Sequence, residues 1–137
     1  MKHSPLGSIA AVLLMVLCFG CGGKGTGPVD ATTETPSGTI TLFVDALERG
    51  NIEAYLALLP TEDRRRAEVS RKALGEQFDN GLRSAMDSMR STVAGCEVVG
   101  EEISDSRATV KLRNRSGAEI IWKCVREPDG WKVAVGN

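Results

Sequence analysis

The chain has 137 residues, with 17 Lys+Arg against 18 Asp+Glu and a formal net charge of −1. That balance gives no reason to expect nucleic acid or a strongly anionic surface as a partner. The length suits one small domain with its own hydrophobic core and no need of disulfide staples.

The first twenty residues have the three parts of an export signal. Lys2 and His3 form a short positive n-region, and Ile9 to Phe19 is an uninterrupted apolar run. A bilayer core needs roughly 20 apolar residues, so this run is too short to span one. It ends in Cys18-Phe19-Gly20-Cys21-Gly22. That segment resembles the bacterial lipobox at Gly20 and Cys21 and departs from it at Cys18 and Phe19. The resemblance implies that Cys21 is the lipidation site and the first residue of the mature protein. It places the protein in the cell envelope, lipid-anchored outside the cytoplasm. Gly22 implies the periplasmic side of the outer membrane where the cell has two membranes. Two or three fatty chains hold a protein stably, whereas one binds only marginally. The alternative is a plain secretory signal that happens to contain cysteines.

Loss of the signal removes Lys2 and takes the formal charge from −1 to −2. It also removes His3, the only histidine. Catalysis by a histidine triad and His-ligated metal sites are therefore excluded from the mature chain. No residue pattern implies a metal or a cofactor.

The expected organisation is a signal peptide over 1–20, an acylated cysteine and linker over 21–37, and a domain over 38–137. From Gly22 to Gly38 the chain is rich in Gly, Thr, Pro and Ser and lacks apolar periodicity. It reads as a flexible tether with a typical reach of about 20–25 Å.

From Thr39 the apolar residues Ile40, Phe43, Val44 and Leu47 fall three and four apart, predicting a helix that Gly50 stops. Asn51 caps a second helix, Ile52 to Leu59, with Tyr55, Leu56 and Leu59 inward. Thr61-Glu62-Asp63 starts a third helical region that runs to about Ser91. Its expected apolar face is Ala67, Leu74, Phe78, Leu82, Met86 and Met89, and Gly75 is a point where it can kink or split. Arg64, Arg65 and Arg66, with Arg71 and Lys72, are a cluster able to dock on anionic headgroups or an anionic envelope polymer. The plainer reading is a solvated helix face neutralised by Glu62, Asp63, Glu68 and Glu76.

After Gly95 the period becomes two, and four strands are expected near Cys96–Ile103, Arg107–Arg113, Ala118–Arg126 and Trp131–Val135. Arg115-Ser116-Gly117 suits a hairpin that sets Asn114 against Ala118, and the turn at Glu127-Pro128-Asp129-Gly130 sets Arg126 against Trp131. Both registers place Ala108, Val110 and Leu112 on one face with Ile120, Trp122, Cys124, Trp131, Val133 and Val135. That face has to pack on the helices. The fold class is α+β, with N-terminal helices packed on a four-stranded antiparallel sheet. Asn114-Arg115-Ser116 reads as a turn rather than a glycosylation acceptor.

An oxidising compartment invites a Cys96–Cys124 disulfide. The registers place the two near opposite ends of the second strand, on the order of 20 Å apart, where a bond needs Cα atoms within about 7 Å. A different strand order is the route to the bond.

Phe43 to Tyr55 resembles the opening helix pair of the nuclear transport factor 2-like superfamily, in particular its small lumazine-binding-like lipoprotein domains. Glu101 to Lys111 and Glu127 to Val133 resemble its later strands. The resemblance implies a cone, a curved sheet wrapped around helices and often enclosing a pocket. Candidate pocket residues are Phe43, Leu47, Tyr55, Phe78, Leu82, Val110, Trp122 and Trp131; the plainer reading is that they fill the core. Two functions follow. The first is a non-catalytic envelope lipoprotein that binds a small apolar ligand or a protein partner. The second, implied by isomerase and cyclase relatives, is an enzyme using pocket carboxylates, with Asp45, Asp79, Asp87 and Tyr55 as candidates. The helical pattern turns the three aspartates toward water.

Overall fold

A computed structural model describes residues 31–136. The export signal, Cys21 and most of the expected tether lie outside the described residues. Four helices, α1 (Pro36–Arg49), α2 (Ile52–Ala57), α3 (Thr61–Leu74) and α4 (Glu76–Val93), precede four strands. These are β1 (Glu97–Ser104), β2 (Arg107–Arg113), β3 (Glu119–Glu127) and β4 (Gly130–Ala134). The strands form one open antiparallel sheet in the order β1-β2-β3-β4. The α+β class and the strand count agree with the sequence pattern.

Helix α1 starts three residues earlier than its periodicity suggests. Thr35 is the N-cap, its Oγ1 accepting the Gly38 N–H at 3.0 Å, and Pro36 occupies the first helical position. Proline suits that position because its missing N–H would be unpaired there anyway. The expected linker end at residue 37 is thus corrected: residues 36–38 are buried helix. Even Thr33 belongs to the folded unit, since its carbonyl accepts the Trp131 N–H at 2.8 Å. Gly50, at φ 61°, closes α1 in the left-handed conformation. Asn51 caps α2 through a 3.1 Å bond from the Ala54 N–H.

Gly75 (φ 57°, ψ −126°) divides the third helical region into α3 and α4. The expected apolar face holds only in part. Met86 is buried, and Leu82 and Met89 pack at its margin. Leu74 is 53% exposed, and no residue of α3 is buried. Gly75 breaks the helix between Leu74 and Glu76, and of α3 it is Ala67 that packs at the core margin.

The sheet registers match the turn chemistry. Ala108 pairs with Cys124, Val110 with Trp122, Leu112 with Ile120, and Arg126 with Trp131. Asn114 shapes the β2–β3 turn, its Oδ1 accepting the N–H groups of Ser116 and Ala118. Ala108, Val110, Leu112, Cys124, Trp131 and Val133 are buried against Ile40, Phe43, Ala46 and Leu47 of α1. A register slip of one residue would turn that whole set to water. Cys96 and Cys124 are free thiols, as the registers imply.

Candidate functional site

Seven of the eight candidate pocket residues share one hydrophobic cluster between the helices and the sheet. Phe43, Leu47, Tyr55, Val110 and Trp131 are buried, and Leu82 and Trp122 pack at the margin of the same cluster. Phe78 is half-buried on α4, outside that cluster. The Phe43 ring sits between two others, with centroids 5.4 Å from Tyr55 and 5.0 Å from Trp122. Tilted rings at this spacing are attractive beyond their burial. Burial pushes the Tyr55 phenol above its ordinary pKa. One polar atom is left over: Trp122 Nε1 is buried with no acceptor.

The candidate carboxylates stay apart from that cluster. Asp45 lies 3.0 Å from Arg49 and Asp87 3.3 Å from Arg90, each on its own helix surface. Asp79 faces Arg71, with Oδ2 accepting from Nη2 at 3.1 Å. Its Oδ1 lies 2.8 Å from Arg71 Nε but off the line of a hydrogen bond, so that atom remains unpaired. Arg71 also donates to Glu53 at 2.6 Å and so ties α2, α3 and α4 together. The hydrogen bond from Arg71 to Glu53, then that to Asp79, raises its pKa.

Two members of the basic cluster, Arg65 and Arg66, pair with acids of their own helix. Arg65 donates to Glu62 at 2.7 Å, and Arg66 lies 3.6 Å from Glu62 and 4.0 Å from Asp63. Arg64 and Arg65 line an open groove of about 390 Å³ with Glu53, Leu56, Ala57, Thr61 and Glu68. Its mixed charge and shallow apolar floor select no ligand class, and none of the eight candidate pocket residues lines it.

Three residues that sequence reasoning passed over tie helix ends to the sheet across long stretches of chain. The Glu101 carboxylate of β1 accepts from the Ser37 N–H at 2.8 Å and its hydroxyl at 2.5 Å. The Glu127 carboxylate of β3 accepts from the Thr61 N–H at 3.0 Å and its hydroxyl at 2.7 Å. Lys132 of β4, only 6% exposed, donates to the Ala57 carbonyl at 3.3 Å and to Asp129 at 3.0 Å. Acids thus meet the N-termini of α1 and α3, and a cation meets the C-terminus of α2, each matching the sign of the helix end. The Lys132 hydrogen bond holds the Asp129 carboxyl below its ordinary pKa. Partners 64 to 75 residues apart leave no local signal.

The sheet edges differ. At β4 the Trp131 N–H bonds to Thr33 and the Val133 N–H to Leu58, so the chain itself closes that edge. Among the described residues, β1 pairs only with β2. No described helix is long and apolar enough to cross a membrane, and no group of three His, Cys, Asp or Glu among the described residues could hold a metal. Comparisons with protein-family models, with curated proteins and with solved structures give no match.

Proposed function

We propose that this chain is a lipid-anchored bacterial envelope protein that works by binding a protein partner, without catalysis. The lipobox-like Gly20-Cys21 after its apolar run supports the anchor. The observation that carries the choice of partner is the packing of the Phe43 ring against Tyr55 and Trp122, which supports a filled core over a ligand-holding one. Helices followed by a four-stranded antiparallel sheet are also what the nuclear transport factor 2-like resemblance leads one to expect. Membership of that superfamily, and the cone-like curvature it implies, are part of this proposal.

A carrier of a small apolar ligand is the second reading. The buried, acceptor-less Trp122 Nε1 favours it, because a ligand oxygen would satisfy that donor. An enzyme of the isomerase or cyclase type has less support, since Asp45, Asp79 and Asp87 each face a neighbouring arginine.

Native and denatured masses of the purified protein separate the two binding readings. Equal masses, after allowance for covalent lipid, support the partner-binding module. Extra mass that disappears on denaturation supports the carrier.

A further inference from the structure

We propose that β1 is a docking edge for an extended, lysine- or arginine-bearing segment of a partner protein, which adds as a fifth strand. The proposal deepens the protein-binding reading above and rests on it. The edge strand of a sheet presents N–H and C=O groups with no partner, and an extended segment can satisfy them by adding a strand. At the opposite edge the chain has done this for itself, through Thr33 and Leu58. At β1, among the described residues, it has not.

The side chains of β1 select the occupant. The register skips Val99 between Val98 and Gly100, so Gly100–Ser104 is the regular stretch open to pairing. Ile103 lies opposite Ala108 and so shares the helix-side face, yet it is 55% exposed. A further strand beside it would cover it. Glu97 and Glu102 are exposed and have no ion pair among the described residues, whereas Glu101 is taken up by Ser37 and the acids Glu62 and Glu119 have arginine partners. Antiparallel pairing of two copies centred on the regular stretch Gly100–Ser104 would set Glu102 of one against Glu102 of the other. Like charges directly opposite are destabilising, so a second copy is disfavoured. A basic strand has the complementary charge, and apolar residues at alternate positions would lie against Ile103.

The test uses the full chain in detergent and two synthetic seven-residue peptides, one alternating lysine and valine, the other glutamate and valine. The lysine–valine peptide should bind at least tenfold more tightly and slow amide exchange within residues 98–104. Added salt should weaken it. The double substitution Glu97→Lys, Glu102→Lys at exposed positions should erase or reverse the preference, and Ile103→Ala should weaken binding severalfold. Equal affinity for the two peptides, or unchanged exchange across β1, would overturn the proposal. Dimerisation through β1, or β1 protection that vanishes when residues 22–30 are deleted, would name another occupant and overturn it too. None of these readouts depends on acylation of Cys21 or on the native mass, so failure here leaves the anchor and the filled core to stand separately.

Discussion

Glu101 holds Ser37 by both its backbone N–H and its hydroxyl, so the edge strand β1 caps the first turn of α1 from 64 residues away. Helix α1 has no acidic residue of its own in that turn. The distant carboxylate therefore supplies both the hydrogen-bond acceptor and the negative charge that the helix end favours. Glu127 does the same for Thr61 at α3.

Glu101→Ala should destabilise the fold by about 1–3 kcal/mol, because it strips two charge-assisted bonds and leaves a helix N–H without its acceptor. Ser37→Ala keeps the backbone bond and should cost about 1 kcal/mol or less. Urea unfolding of the two variants and their double mutant checks this. Additive losses would contradict the pairing.

The core makes a sharper contrast. Phe43 is fully buried between two rings, and Phe43→Ala should cost about 3–5 kcal/mol. Val69, 64% exposed on α3, should tolerate alanine within about 0.5 kcal/mol. Comparable losses at the two sites would mean that α3 is buried against something else.

Gly130 meets the chain entering α1. Its φ of 133° disfavours any side chain, and an added Cβ would lie 2.6 Å from Thr33 Oγ1 and 2.9 Å from the Thr33 carbonyl. Gly130→Ala should cost more than about 1 kcal/mol and free residues 31–35 from β4. Limited proteolysis would then cut there faster than in the unsubstituted protein. Unchanged cleavage would contradict the Thr33 contact.

Burial, aided by the nearby Glu101 charge, pushes the Cys124 thiol from its ordinary 9.0 up to about 12. The folded protein holds this proton more tightly than the unfolded chain does. Its contribution to stability is therefore complete below pH 9.0 and is lost as the pH rises toward about 12. The stability difference between the protein and Cys124→Ala should shrink from pH 9 upward. Parallel urea midpoints for the two across that range would contradict a buried thiol.

Local chemistry explains what was legible in the sequence. The β2–β3–β4 registers follow from Gly117, from Pro128-Asp129-Gly130 and from strict alternation, all within a few residues of each other. The start of α1 was legible too, in Thr35-Pro36, but the Gly- and Thr-rich composition around it masks the signal. Exposure of Leu74 was not, because it depends on how far Gly75 turns the chain. The helix-end contacts of Glu101, Glu127 and Lys132 were also hidden. They exist only after the sheet has packed on the helices.

The proposed envelope role stands most directly on Cys21. Intact-mass analysis of the protein recovered from membranes of bacteria expressing the whole chain would test it. A lipid-anchored protein should give a polypeptide beginning at Cys21 with covalently bound fatty acyl groups, and the Cys21→Ser variant an unprocessed, unacylated chain. A soluble, unacylated product cleaved at another position would contradict it.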